Sequence, residues 1–188
     1  MAKILGISAF FHDSSACIIV DGEVIGAALE ERFTRTKHDA NFPEQAIKFC
    51  LKQANITSTD IDEVVFFEKP FTKFERILDS SFYAAPKGYL SFKKAVMSWL
   101  KTKFWIEDLF RKKFPFTGSF SYCQHHLSHA ANVCFNSPFN DAAYLVVDGV
   151  GEKACTSYGT FTDNQITPLE EQNYPHSIGL LYSAFTQY

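Results

Sequence analysis

The sequence predicts a mixed α/β protein on three observations. Short apolar segments of strand length open the chain, and apolar residues at helical spacing follow them. The same order of strands and turns then recurs later in the chain. Residues 3–8, 16–20 and 24–29 are apolar runs of strand length. Asp21 and Gly22 lie between the second and third runs and suit a tight hairpin, because glycine tolerates the positive φ of such turns. We therefore expect three antiparallel strands to open the fold.

A helix and a further strand follow this opening. Pro43 and Glu44 suit the first turn of a helix. The apolar residues that come next recur at helical spacing, and they are Ile47, Cys50, Leu51 and Ala54. An apolar run over residues 64–67 indicates a buried strand. Three strands, a helix and a strand in this order are expected of a ribonuclease-H-like lobe.

The opening order returns in the last third of the chain. Residues 142–147, 154–161 and 165–171 read as three strands, with a hairpin at Asp163 and Asn164. Duplication of this kind predicts two similar lobes with a cleft between them.

The repeat also predicts the domain organisation. We expect a first lobe at residues 1–140 that carries a helical insertion at residues 69–118, and the start of a second lobe at residues 141–188. A helix begins near residue 178, and the sequence stops within it without a cap, a Gly or a Pro. We therefore expect the chain to be truncated inside the second lobe.

The insertion is basic and aromatic. Residues 69–113 hold eleven of the eighteen Lys and Arg residues, against four acidic ones. Aromatic residues such as Trp99, Phe104 and Phe110 alternate with lysines, which favours a pair of amphipathic helices. Three interpretations of these helices stay open. They have an aromatic core face opposite a solvated lysine face, or they form a surface that docks another domain or subunit. Binding of nucleic acid is the least favoured interpretation.

Composition sets the class of protein. The 188 residues carry a formal net charge of -3 and are 46% apolar, which suffices for one sizeable core or two small lobes and indicates no partner by bulk charge. Five scattered cysteines without a Cys-x-x-Cys pair argue against a disulfide framework. Neither a signal peptide nor a run of ~20 apolar residues is found. We expect a cytoplasmic protein that binds neither membrane nor nucleic acid.

Two histidines form the most specific local signal. His125 and His129 are four residues apart, so on a helix both imidazoles project from one face and can ligate one metal ion. His126 lies between them and points elsewhere. No carboxylate separates the pair, so the signature of zinc metalloproteases is absent. A structural role for the histidines stays open at this point.

Asp148 favours the metal interpretation. It ends an apolar strand and opens the turn Asp148-Gly149-Val150-Gly151, whose glycines let backbone amides approach a phosphate closely. Two imidazoles and one carboxylate form a mixed site with open positions, which suits Fe(II), Mn(II) or Zn(II) as a Lewis acid. Alternatively, Asp148 only caps the turn.

The first turn holds a second candidate site. His12 and Asp13 occupy the position equivalent to Asp148 in the repeat, with the hydroxyls of Ser14 and Ser15 beside them, and we expect them to face the same cleft. A histidine next to a carboxylate is a candidate general base for a hydroxyl proton. Alternatively, Asp13, Ser14 and Ser15 cap the turn.

A short basic loop follows the third strand. It concentrates Arg32, Arg35 and Lys37, which suit contacts to phosphate or carbamoyl phosphate. A solvated run of charges is the alternative interpretation. Arg35 and Lys37 are the candidates for ligand binding.

With these motifs in order, the sequence resembles the amino-terminal domain of the nodulation-type and antibiotic-type O-carbamoyltransferases. The segments that carry the resemblance are residues 4–8, 11–16, 31–38, 125–130, 147–151 and 174–179. The resemblance covers nearly the whole chain and is weakest between residues 69 and 115. It implies an actin-like domain related to the tRNA threonylcarbamoyladenosine synthases.

The resemblance also implies a reaction. A carboxyl-terminal domain makes carbamoyl adenylate from carbamoyl phosphate and ATP, and the amino-terminal domain transfers the carbamoyl group to a hydroxyl of a small molecule or sugar. His125, His129 and Asp148 match the metal ligands, with iron as the implied ion and a further Asp expected beyond Tyr188. His12 matches a residue of the transfer site. The fragment alone is then expected to have little or no transferase activity.

The resemblance places Gly149 and Gly151 near the phosphate of the adenylate. Two other classes of function stay open: an actin-like phosphotransferase or ATPase, which has no need of the two histidines, and a non-enzymatic binding module that uses its basic aromatic helices. The apolar surface that a missing half would cover favours a homodimer of the fragment.

Overall fold

The computed structural model describes residues 2–83, 85–101 and 103–188. The strands in chain order are β1 (Lys3–Ser8), β2 (Ser15–Val20), β3 (Glu23–Leu29), β4 (Glu63–Phe66), β5 (Ser119–Tyr122), β6 (Asp141–Val147), β7 (Ala154–Thr162) and β8 (Gln165–Asn173). The helices are α1 (Glu31–Thr34), α2 (Glu44–Gln53), α3 (Pro70–Tyr83), α4 (Tyr89–Lys101), α5 (Ile106–Lys113), α6 (His125–Cys134) and α7 (Ile178–Gln187). Short 3-10 turns lie at Ser58–Asp60 and Lys103–Trp105.

The chain forms two compact units, and both are discontinuous in sequence. The first unit comprises residues 1–67 and 105–122, and the second comprises residues 68–104 and 123–188. Each unit has a sheet of its own.

The first unit is built on a five-stranded sheet in the order β3-β2-β1-β4-β5. The first three strands are antiparallel, whereas β4 pairs with β1 and with β5 in parallel. The predicted hairpin is present, with positive φ at both Asp21 and Gly22. This order agrees with the ribonuclease-H-like arrangement that the sequence predicts.

Alternating apolar residues give this sheet a buried face. Leu5 and Ile18 are completely buried, as are Ile47 of α2, Val64 of β4 and Phe110 of α5. Burial of each such side chain stabilises the fold by about 1.5–3 kcal/mol. In this core the amino-terminal strands pack with α2 and α5. Along the sequence, α2 precedes residues 68–104 and α5 follows them.

The second unit contains the antiparallel sheet β6-β7-β8. Asp163 and Asn164 both have positive φ, as a two-residue hairpin of this kind requires. Tyr144 and Val146 of β6 pack with Ala130 of α6 in the core of this unit. The predicted repeat of a three-stranded meander is confirmed.

The basic aromatic segment is helical, as predicted, but it contributes to both units. In the second unit Trp99 is buried, and its ring centroid lies 5.9 Å from that of Phe74 and 5.6 Å from that of Phe104. Phe110 belongs to the core of the first unit. Aromatic burial therefore accounts for part of the pattern.

Several boundaries differ from the sequence prediction. Residues 31–38 were expected to form a loop, yet Glu31–Thr34 is a helical turn that ends at Arg35 in the left-handed conformation. Helices α3, α4 and α6 group with the second sheet, whereas the repeat suggested a boundary near residue 140. All five cysteines are free. Among the described residues no helix is long and apolar enough to cross a membrane.

Candidate functional site

Helix α6 and strand β6 bring the predicted metal ligands together within the second unit. His125 is the first residue of α6 and His129 lies one turn later, so both rings project from one face. Asp148 follows the last residue of β6, and α6 packs against that strand. The ligand atoms of the three side chains all lie within 4.8 Å of one another.

The distances fit ligands of one ion. His125 Nε2 lies 2.9 Å from Asp148 Oδ2 and 3.1 Å from His129 Nε2. Two ligand atoms that are each about 2.1 Å from an ion lie roughly 3.0–3.4 Å apart at angles of about 90–109°. The residues present therefore fit a small divalent cation with a mixed nitrogen and oxygen ligand set.

The charges of the site also suit a cation. The hydrogen bond from His125 lowers the pKa of the Asp148 carboxyl to about 2, against the opposing effect of burial. Burial and the neighbouring His125 lower the pKa of His129. Near neutral pH the site thus offers an anionic carboxylate and a neutral imidazole, the forms in which these groups bind metal ions.

Glu152 holds the start of α6 in place. This buried carboxylate accepts a hydrogen bond of 3.2 Å from the backbone N–H of His125 and another from the backbone N–H of Lys69, just before α3. Burial raises its pKa. Glu152 therefore ties two helix starts to the turn that carries Asp148.

The carboxyl side of the Asp148 turn is clamped by the segment before α7. Ser177 Oγ donates to the backbone oxygens of Gly149 and Asp148, at 2.6 and 3.2 Å as alternative acceptors. A Cβ at Gly179 would come within 2.4 Å of the Asp148 carbonyl oxygen. Only glycine fits at this position in the first turn of α7, next to the Asp148 turn.

Residues 149–151, which form the candidate phosphate loop, differ in their surroundings. The backbone N–H of Gly149 donates to Asp148 Oδ1 at 2.6 Å. Val150 is partly exposed. Gly151 is buried, and a Cβ there would lie 2.9 Å from Cδ2 of His125 and 3.3 Å from Cδ2 of His126. Packing against the histidines thus already requires glycine at residue 151.

His126 points away from the ligand pair, as predicted. Its ring is buried, and Nδ1 lies 2.7 Å from Ser157 Oγ on β7. Burial and the nearby His125 lower the pKa of His126. It therefore packs as a neutral core residue of the second unit.

His12 and Asp13 meet a third residue in the first unit. Asp13 Oδ2 lies 2.8 Å from His12 Nδ1, and Asp13 Oδ1 lies 3.0 Å from His38 Nδ1. Hydrogen bonds from His38 and His12, in that order of effect, lower the pKa of Asp13. The ring of Phe11 packs against that of His12, with centroids 4.4 Å apart.

The remaining candidates of this unit have contrasting exposure. Ser14 is fully buried, and its Oγ has no hydrogen-bond partner among the described residues. Ser15 begins β2 and is partly buried. Arg35 and Lys37 are exposed and form no ion pair within the described chain. The two cations are free to meet an anion, whereas the Ser14 hydroxyl is enclosed.

Four residues that support the candidate sites have no role that the sequence alone predicts. Glu152, Ser177, Gly179 and His38 act through contacts between segments that are distant in the chain, which periodicity does not report. The only local signal was the presence of some of them in the motifs of the resemblance.

Comparison with known proteins decides the family. The model of the carbamoyltransferase N-terminus family matches residues 3–188. The chain belongs to the carbamoyltransferase N-terminus family. The chain is 46% identical over 196 residues to an uncharacterized protein of Synechocystis sp., with 100% of the chain and 32% of the relative covered. It is 29% identical over 187 residues to the nodulation protein NolNO of Sinorhizobium fredii, with 96% of the chain and 26% of that protein covered.

The chain therefore spans about a third or less of the length of these relatives. Among solved structures, an uncharacterized protein from Pseudomonas aeruginosa with similarity to the peptidase YEAZ matches with a TM-score of 0.50 and 11% identity, covering 93% of the chain and 67% of that structure. This likeness shows the fold alone, and the fold is α/β and actin-like.

Proposed function

We propose that this chain is the amino-terminal, carbamoyl-transferring part of a larger O-carbamoyltransferase. The observation that carries the proposal is the convergence of His125, His129 and Asp148 in a chain of the carbamoyltransferase family. These three side chains would hold a divalent transition-metal ion, Fe(II) by the resemblance. When bound, such an ion supplies Lewis-acid polarisation of a carbonyl or phosphate oxygen.

The donor of the carbamoyl group would be carbamoyl adenylate. We assign its formation from carbamoyl phosphate and ATP to a carboxyl-terminal domain outside this chain. Because the Gly149 amide is already bonded to Asp148, the amides of Val150 and Gly151 are the candidates for the adenylate phosphate. Within the first unit, the exposed Arg35 and Lys37 suit a phosphate group by charge.

The acceptor would be a hydroxyl group of a small molecule or sugar. The His12 and Asp13 pair is our candidate general base, since a carboxylate on Nδ1 leaves Nε2 to take the hydroxyl proton. The hydroxyl oxygen then bonds to the carbamoyl carbon, the bond from that carbon to the phosphate oxygen breaks, and AMP leaves.

Metal binding by the separate chain tests the first part of the proposal. Loss of a residue that only supports a metal ligand lowers metal affinity by about 10–100-fold. We expect a larger loss of affinity for Fe(II) or Co(II) in each of the variants His125→Ala, His129→Ala and Asp148→Asn. Equilibrium dialysis with elemental analysis measures this affinity. His176→Ala is the matched control, because His176 is an exposed histidine of the same unit.

The outcome separates the competing functions. Unchanged metal content and nucleotide affinity in a His125→Ala/His129→Ala double variant would favour a binding module. Binding of magnesium alone, with ADP release by the full-length protein, would favour a phosphotransferase or ATPase. Transfer that depends on carbamoyl phosphate and ATP, and that is lost in the double variant, would support the carbamoyltransferase.

A further inference from the structure

Asp13 contacts two imidazoles, one on each of its carboxylate oxygens. His12 Nδ1 lies 2.8 Å from Oδ2, and His38 Nδ1 lies 3.0 Å from Oδ1. The two histidines come from separate turns, 26 positions apart in the chain. A single carboxylate therefore orients both rings.

The charge of Asp13 determines which nitrogen carries the proton in each ring. The two histidine contacts lower the pKa of Asp13, so its carboxyl is ionised near neutral pH and can only accept hydrogen bonds. Both imidazoles must then donate through Nδ1–H. A neutral His12 in this tautomer has its lone pair on Nε2, and its side chain is 62% exposed.

His38 is itself held firmly by the first unit. Its backbone N–H donates to Glu31 Oε2 at 3.0 Å, and its φ of 56° places it in the left-handed region. Next to it, the Asp39 carbonyl accepts the backbone N–H of Ser14 at 2.8 Å. The 38–39 segment and the 13–14 turn are thus joined by a backbone bond and by a side-chain bond side by side.

The partial exposure of Asp13 gives the second histidine contact its importance. Asp13 also adopts positive φ, at 53°, and its side chain is 38% exposed. In an exposed turn a carboxylate with one partner can rotate away into water. The second imidazole restrains the free oxygen, and hence the plane of the carboxylate.

We propose that His38 is a positioning residue: through Asp13 it fixes the Nδ1–H tautomer and the orientation of His12, whose Nε2 takes the proton of the acceptor hydroxyl. This role rests on the transfer reaction proposed above. In that step the proton moves to Nε2, the oxygen bonds to the carbamoyl carbon, and AMP leaves with the electrons of the broken carbon–oxygen bond. His38 itself touches neither donor nor acceptor.

Two substitutions at residue 38 separate the side chain from the backbone. His38→Gly removes the imidazole and still allows positive φ, whereas His38→Asn also tolerates positive φ and keeps an N–H donor near the place of Nδ1. We expect ¹⁵N-¹H long-range NMR spectra to show His12 as the Nδ1–H tautomer in the wild-type chain and in His38→Asn. In His38→Gly we expect a mixture of tautomers.

Kinetics of the full-length protein give an independent measurement. We expect His38→Gly to lower kcat for carbamoyl transfer about ten-fold with little change in the KM of the acceptor, and His12→Ala to lower kcat by about a hundred-fold or more. His38→Asn should recover most of the loss. Such rescue is not expected if residue 38 only supports folding.

The possible failures are distinguishable. Should His38→Gly leave both the His12 tautomer and kcat unchanged, while His12→Ala is impaired, the positioning role is wrong and the transfer function stands. Should His12→Ala transfer at the wild-type rate, the proposed base is wrong. If His38→Gly does not fold, His38→Asp replaces it, because Asp also tolerates positive φ but its carboxylate cannot donate to Asp13, and an unchanged tautomer there overturns the proposal.

Discussion

Gly151 shows how a single residue sets the position of the candidate metal ligands. Its missing side chain leaves room for the rings of His125 and His126, and a Cβ would approach them to 2.9 and 3.3 Å. The backbone carbonyl of Ala154 closes the other side at 3.0 Å. The glycine therefore determines how closely α6 approaches the turn that carries Asp148.

We expect Gly151→Ala to displace His125 and to weaken metal binding by at least about ten-fold, together with a loss of about 1–3 kcal/mol in unfolding free energy from overpacking. Gly149→Ala is the matched control, since among the described residues its Cβ would meet only Leu180, at 3.8 Å. That variant should stay within about 0.5 kcal/mol of wild type. Dialysis and urea unfolding measure both quantities.

Equal metal affinity in the two alanine variants would contradict this account of Gly151. A selective loss of adenylate binding in Gly149→Ala, with metal affinity kept, would instead indicate that residue 149 approaches a phosphate. The pair of variants thus tests packing and ligand contact separately.

Glu152 acts on whole elements, because it binds the starts of α3 and α6 at once. Its carboxylate accepts the backbone N–H groups of Lys69 and His125. Backbone donors in the first turn of a helix have no partner within the helix. Near these donors the positive end of each helix dipole also favours a negative charge.

We expect Glu152→Ala to lower the unfolding free energy by about 1–3 kcal/mol, because it leaves two backbone donors without their acceptor. Metal affinity should fall as well, since His125 is one of these donors. Glu152→Gln retains an acceptor oxygen and should lose less in both measurements. The exposed Glu171→Gln serves as a control for the change in charge.

An unaltered metal affinity in Glu152→Ala, measured on folded protein, would show that α6 keeps its position without this carboxylate. Thermal unfolding followed by circular dichroism identifies the folded variants before dialysis.

The elements themselves were largely predictable from the sequence, since strand and helix periodicities are local. The strand over residues 3–8 was predicted with its observed bounds, and the helix assumed from the spacing of His125 and His129 is observed at His125–Cys134. Glu31–Thr34 was missed because a four-residue helix has too few positions to show a period.

At the scale of the whole molecule, the first unit joins two stretches separated by 37 residues of the second unit. Lys113 Nζ at the end of α5 lies 2.6 Å from Glu44 Oε2 at the start of α2, and Lys48 Nζ lies 2.7 Å from the other oxygen. Hydrogen bonds from Lys113 and Lys48 lower the pKa of Glu44 to about 2.

This ion pair predicts a pH dependence of stability. The pKa of Glu44 is lower in the folded chain than in the unfolded chain, so the unfolded chain binds the proton more readily. The stabilisation that the Glu44 ion pairs contribute is therefore lost as pH falls from about 5 to about 2. We expect Glu44→Gln to cost at most about 1 kcal/mol at pH 7 and progressively less towards pH 2. Urea unfolding between pH 7 and pH 2 measures this. A constant difference would contradict it.

Assembly of the units was the part that the sequence predicted least well. The convergence of His125, His129 and Asp148 followed from a helical repeat and a strand end, both local patterns. The contact of His38 with Asp13 and the grouping of α3, α4 and α6 depend on tertiary packing. No local period encodes which distant segments will share a core.

The interleaving of the two units affects the order in which they can mature on the ribosome. Strand β5 and the core residue Phe110 come from the second stretch of the first unit, so the nascent amino-terminal half lacks the pieces that close its own interior. Closure has to wait until residue 122 has left the exit tunnel. By then all of α3 and α4, which belong to the second unit, has already been synthesised.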